Sequence, residues 1–185
     1  MGRRIIMVAA AIIATTAATL TAPAPASATV TCNGLAATVA GVTGTGGADV
    51  IIGTDSGETI DGGAGDDTIC ARGGVDTVYG GKGEDLIFGG PGADGIWGDS
   101  GSPATVFGDA DRIYGGDGND YLDGQIGDDS LHGEKDSDTV KGGGDGGDYL
   151  DGGTGQAETV GGVSDLCIGN GGNDTFAATC EQTVS

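Results

Sequence analysis

Aromatic residues make up only 4% of this 185-residue chain, three Phe, one Trp and four Tyr. Too little bulky apolar surface is present for a conventional core to offset the entropy of ordering the chain. Basic side chains are equally scarce: seven Lys and Arg stand against 28 Asp and Glu, a formal net charge of −21. Nucleic acid is excluded as a partner, since its phosphates would be repelled. A single histidine leaves little for imidazole-based catalysis or a His-rich metal centre. The one long apolar run, Ile5 to Leu20, is about 16 residues, diluted by Ala and Thr, and too short to span a bilayer. No other stretch approaches spanning length, so no membrane span is expected.

That run follows Arg3 and Arg4 and ends in Ala26-Ser27-Ala28. The layout predicts a secretory signal peptide over residues 1–28, cleaved after Ala28, and hence a secreted, extracellular chain. In that setting the four cysteines, Cys32, Cys70, Cys167 and Cys180, read as disulfide-bonded. Three pairings are possible. Sequence proximity favours Cys167 with Cys180, which leaves Cys32 with Cys70; both pairs flank the central part of the chain as end staples.

What the chain does have is glycine, 42 residues of it, and aspartate, in a strict period. From Gly44 the sequence reads GTGGADVII, GTDSGETID, GGAGDDTIC, ARGGVDTVY, GGKGEDLIF and GGPGADGIW, six units of nine. The eighth place is always aliphatic: Ile51, Ile60, Ile69, Val78, Ile87, Ile96. The sixth is always acidic: Asp49, Glu58, Asp67, Asp76, Asp85, Asp94. The register breaks after Gly98 and returns at Asp111, after which GGDGNDYLD, GQIGDDSLH, GEKDSDTVK and the ten-residue GGGDGGDYLD carry Asp120, Asp129, Asp138 and Asp148. A last unit, GNGGNDTFA, carries Asp174. The chain accordingly divides into an N-terminal cap (29–43), a first repeat block (44–101), an off-register insert (102–110), a second block (111–151), and degenerate repeats with a C-terminal cap (152–185).

Each unit pairs a glycine-rich turn of six residues with an extended triplet. Glycine suits backbone of positive φ, and the β-branched and aromatic triplets suit strands. Neighbouring side chains in a strand alternate faces, so only the central, eighth-place residue points inward. One buried aliphatic per unit cannot fold alone; stacked units bury a continuous file.

These units resemble the RTX, or haemolysin-type, calcium-binding repeat G-G-x-G-x-D-x-U-x. The resemblance implies an all-β fold, a right-handed parallel β-roll (a β-solenoid) with two nonapeptides per coil. It also implies several Ca²⁺ ions lying between turns 18 residues apart. The sixth-place acids would then serve in pairs: Asp49 with Asp67, Glu58 with Asp76, Asp67 with Asp85, Asp76 with Asp94, Asp111 with Asp129, Asp120 with Asp138, and Asp129 with Asp148. Adjacent strands lie about 4.8 Å apart and calcium takes oxygens at about 2.3–2.6 Å, so an ion between coils reaches carbonyls and carboxylates of both.

No catalytic set emerges. Gly98-Asp99-Ser100-Gly101-Ser102-Pro103 is similar to a trypsin-like nucleophile segment, but the only histidine, His132, follows the serine, and Gly98 is itself the next repeat start. Asp109 and Asp111 do not open an EF-hand, because Ile113 and Tyr114 stand where an acid or Asn and then Gly are needed. Gly81-Lys82 lacks the Ser or Thr of a phosphate loop. His132 fills a ninth place, where a solvated outward side chain is expected. Tyr79, Phe88, Trp97 and Tyr114 share that place and form either packing between coils or a ligand platform. The expected function is therefore a non-enzymatic, calcium-dependent structural or binding module, the alternative being a protein that acts on or binds extracellular polysaccharide at a cell surface.

Overall fold

The computed structural model describes residues 31–39, 41–99, 109–144, 147–154, 166–169, 175–176 and 182–184. Its strands, in chain order, are β1 Thr31–Cys32, β2 Leu35–Ala36, β3 Val50–Ile52, β4 Thr59–Ala64, β5 Thr68–Cys70, β6 Thr77–Lys82, β7 Leu86–Pro91, β8 Gly95–Asp99, β9 Arg112–Asp117, β10 Tyr121–Gln125, β11 Ser130–Lys135, β12 Thr139–Gly143, β13 Tyr149–Asp151, β14 Leu166–Ile168, β15 Thr175–Phe176 and β16 Gln182–Val184. No helix occurs among the described residues.

Each nonapeptide contributes one strand, and successive strands go to opposite sheets. One parallel sheet runs β4-β6-β8-β10-β12-β14-β16, the other β3-β5-β7-β9-β11-β13-β15, and β1 pairs antiparallel with β2 as a small cap. Two strands and two turns therefore make one coil of a parallel β-roll. The register is that of an 18-residue coil: Val50 faces Thr68, Ile51 faces Ile69, and Ile60 faces Val78.

The eighth-place side chains meet between the sheets as the core. Ile51, Ile60, Ile69, Val78, Ile87, Ile96, Ile113, Leu122, Leu131, Val140, Leu150 and Cys167 are all fully buried and form one cluster. Cys167, in a stretch where the sequence repeat fades, thus still occupies a core place, facing Val140. Cys32 is disulfide-bonded to Cys70, tying the cap to β5. Cys167 is disulfide-bonded as well, while its expected partner, Cys180, lies outside the described residues.

The strand ladder runs unbroken across the insert. Leu86 pairs with Arg112 and Ile87 with Ile113, and Trp97 pairs with Asp123, an offset that absorbs the extra residues in one turn. Gly98 and Asp99 begin that turn and Asp109 to Asp111 complete it; residues 100–108 between them lie outside the described residues. Ladder pairing also corrects one expectation. His132 is not a freely solvated side chain: it stacks on Tyr114 at 4.9 Å between ring centroids and 7° between planes, with Tyr149 on its other side. Ninth-place residues one coil apart are adjacent in a parallel sheet, so rings at that place meet face to face. Tyr79 with Trp97 and Phe88 with Tyr114 do the same, each at 5.2 Å.

Candidate metal centre

The turns joining the two sheets place the sixth-place acids in two files, one along each edge of the roll. Asp49, Asp67, Asp85, Asp111, Asp129 and Asp148 make one; Glu58, Asp76, Asp94, Asp120 and Asp138 make the other. Within a file each carboxylate after the first is bound to the coil before it. The backbone N–H of Asp49 donates to Asp67 Oδ1 at 2.8 Å, that of Asp67 to Asp85 Oδ1 at 2.8 Å, and that of Asp111 to Asp129 Oδ1 at 2.9 Å. The second file repeats the contact, from Glu58 to Asp76, Asp76 to Asp94 and Asp120 to Asp138. Two further links cross the insert, Asp85 to Asp111 and Asp94 to Asp120, and one crosses the ten-residue unit, Asp129 to Asp148. The sequence register placed all the pairs within each block; the two across the insert it did not, because their spacing departs from 18.

The other carboxylate oxygen is left over. Oδ2 of Asp67, Asp76, Asp85, Asp94, Asp111, Asp120 and Asp129 is buried with no hydrogen-bond partner. A buried charge without a partner is costly, so each of these carboxylates is met by a cation or a proton. Burial is the leading cause that raises the carboxyl pKa values: Asp67 to about 6, Asp85, Asp120 and Asp129 to about 7, and Asp111 to about 9. Asp76 and Asp94 are also raised by burial. The hydrogen bond to Oδ1 works in the opposite direction and is outweighed.

Glycine at the first place of the turns, with Ala71 the exception, opens the space that Oδ2 faces. A Cβ on Gly62 would lie 2.2 Å from the Gly80 carbonyl oxygen and 2.6 Å from Asp67 Oδ2. On Gly80 it would lie 2.3 Å from the Gly98 oxygen and 2.4 Å from Asp85 Oδ2, and on Gly124, 2.7 Å from the Gly142 oxygen and 2.3 Å from Asp129 Oδ2. A carboxylate of one coil and a carbonyl of the next thus converge at successive turns. No group of three His, Cys, Asp or Glu side chains among the described residues converges as a metal centre. The donor set is carboxylate plus backbone carbonyl, hard oxygen from two coils, which fits calcium and not a soft, thiolate- or imidazole-bound metal.

Two expected ligands depart from this pattern. Asp49 Oδ2 accepts from the Thr45 N–H at 2.6 Å and Thr45 Oγ1 at 2.8 Å, and its Oδ1 from Thr38 Oγ1 at 3.2 Å. Glu58 accepts from the Thr54 N–H at 2.8 Å and Thr54 Oγ1 at 2.6 Å. These threonine hydrogen bonds lower both carboxyl pKa values. Asp174 lies outside the described residues.

One carboxylate was not anticipated. Asp99 is buried beside the first file, where its Oδ2 accepts from the Ile126 N–H at 3.2 Å. Burial raises its pKa, and its charge acts on Asp85, Asp111 and Asp129. It stands at the second place of its turn, and an acid at that place is the sequence signal that could have found it.

Comparison with known proteins agrees with this geometry. The family model for the RTX calcium-binding nonapeptide repeat, a run of four copies, matches residues 43–78, 71–102 and 106–140. No curated protein and no solved structure matches the chain.

Proposed function

This chain belongs to the RTX calcium-binding nonapeptide-repeat family, and from that premise we propose that it acts outside the cell as a non-enzymatic module whose β-roll is locked by calcium. The observation that carries this reading is the run of buried Oδ2 atoms without partners along both edges of the roll. Calcium supplies positive charge and accepts oxygens from two coils at once. The chain's own residues do the rest. Oδ1 of each aspartate is fixed by an N–H of the preceding coil, so Oδ2 is already aimed. The first-place glycines let a carbonyl of the next coil approach without hindrance. On this reading the ligands are Asp67, Asp85, Asp111, Asp129 and Asp148 on one edge and Asp76, Asp94, Asp120 and Asp138 on the other.

Folding and binding are then one event, since the same carboxylates repel one another in the roll until neutralised. Export is supported by the signal-peptide pattern of residues 1–28 and by the Cys32–Cys70 disulfide. The aromatic files lend little support to a polysaccharide platform. Sugar stacking needs free ring faces, whereas Tyr79 with Trp97, and Phe88 with Tyr114 and His132, turn their faces to one another.

Far-UV circular dichroism of the full chain, with calcium and with a chelator, tests the proposal. Most of the β signal disappears in the chelator and returns with calcium but not with magnesium. A spectrum indifferent to calcium removal would sink it.

A further inference from the structure

The first coil differs from the later turns, Asp67 to Asp129, in how its carboxylates are satisfied. Thr45 and Thr54 hold the second place of their turns, where later coils have left-handed backbone: Gly63, Gly81 and Gly90 with φ of 103°, 123° and 100°, and Arg72, Gln125 and Glu134 with φ of 80°, 77° and 77°. Each threonine directs both its N–H and its hydroxyl onto the acid of its own turn, Asp49 or Glu58. The oxygens that remain without partners at Asp67, Asp76, Asp85, Asp94, Asp111, Asp120 and Asp129 are thus occupied here by the chain itself.

Charge is supplied as well as hydrogen bonds. Arg72, one of only seven basic residues, projects into the turn that carries Glu58. Its Nη1 donates to the Gly53 carbonyl at 3.4 Å and its Nη2 pairs with Asp55 at 2.9 Å. On the other edge, Thr38 of the cap fills the position that a preceding coil would hold. Its hydroxyl donates to Asp49 Oδ1 while accepting from the Val50 N–H at 2.7 Å, and its N–H donates to the Val50 carbonyl at 2.9 Å. The Cys32–Cys70 disulfide closes this same end of the roll.

We propose that Thr45, Thr54 and Arg72 take the place of calcium in the first coil, so that this end of the roll closes without metal and is the fixed platform on which the calcium-dependent coils assemble. The inference rests on the reading of the later turns as calcium sites. It assigns Asp49 and Glu58 to the cap, and it makes the second-place residue the determinant of whether a turn takes an ion. A second-place residue in the left-handed region, glycine in some turns and Arg72, Gln125 or Glu134 (φ 80°, 77° and 77°) in others, leaves the carboxylate to the metal; threonine satisfies it internally.

The test is a count of calcium per chain by native mass spectrometry on the full-length oxidised protein. The pair Asp49→Asn, Glu58→Gln keeps the wild-type number, whereas Asp67→Ala, Asp76→Ala loses at least one ion. Loss of calcium from the Asn/Gln pair overturns the proposal while leaving the calcium reading intact. A wild-type chain that binds no calcium overturns both. Hydrogen exchange of the unaltered protein in chelator gives a readout that needs no variant. Amides from Val50 to Cys70 stay protected while those from Leu86 to Leu150 exchange; protection lost equally throughout overturns the metal-free end.

Discussion

The backbone amide of Asp67 donates to Asp85 Oδ1 at 2.8 Å, while Asp85 Oδ2 has no partner at all. One oxygen organises the stack, and the other carries a charge that the stack cannot accommodate by itself. This division has a consequence in pH. Burial raises Asp67 to about 6, Asp85, Asp120 and Asp129 to about 7, and Asp111 to about 9 in the metal-free roll. Unfolded aspartate titrates near 3.9, so the folded state binds more protons across this interval. The contribution of these groups to stability is therefore fullest below about pH 4 and is lost as pH climbs through about 6 to 9. In chelator, the chain gains β signal on acidification from pH 8 to pH 4.5, and with calcium the trend reverses because protons compete with the ion. Circular dichroism along both titrations checks this; a chelated chain that does not respond to acid contradicts it.

Replacing Asp85 by Asn keeps an acceptor for the Asp67 amide and removes the charge. The calcium midpoint for folding rises about tenfold, equivalent to about 1.4 kcal/mol. Asp61→Asn, at an exposed position, leaves the midpoint within about twofold. Calcium titrations followed by the fluorescence of Trp97, the single tryptophan, give both numbers. Equal shifts would mean that the chain responds to net charge and not to the file.

The period of nine made the roll legible because each place in the repeat has one physical duty. Ile69 and Val78 could be assigned to the core from alternation alone, and Asp67 and Asp85 to one edge from their spacing. His132 could not be placed that way, since its neighbours Tyr114 and Tyr149 are set by the ladder and not by local sequence. Asp99 was hidden by the broken register at the insert, although the ladder shows that the roll continues through it. Thr45 and Thr54 were visible as departures from glycine, but that they satisfy Asp49 and Glu58 is a matter of side-chain direction.

Left-handed backbone recurs at the second place of the later coils, supplied by glycine at Gly63, Gly81, Gly90, Gly116 and Gly143 and by Arg72, Gln125 and Glu134 elsewhere. Gly81 has φ of 123°, and a Cβ there would lie 2.3 Å from the Gly63 carbonyl oxygen. Gly81→Ala therefore combines an unfavourable backbone region with a collision against backbone that cannot move aside, a cost of about 2 kcal/mol or more. Gly46→Ala, where no atom comes within 4 Å, changes stability by less than about 0.5 kcal/mol. Thermal unfolding in saturating calcium separates the two; a Gly81→Ala protein as stable as Gly46→Ala would show that the turn has room to relax.

The Cys32–Cys70 bond closes 38 residues of sequence. In the chain-entropy description, opening a loop of that length costs about 4 kcal/mol, because the unfolded chain regains the freedom that the crosslink removed. The bond holds Cys32, buried in the cap, against β5, and no expected calcium ligand lies on either cysteine. A Cys32→Ser, Cys70→Ser variant therefore unfolds at lower temperature in calcium, and the loss is larger in chelator, where the first coil has least support from its neighbours. The number of bound ions at saturation stays at the wild-type value. Calorimetry with and without calcium, paired with an ion count, checks both statements. A variant that keeps its melting temperature but loses an ion would place the disulfide with the metal sites instead of with the cap.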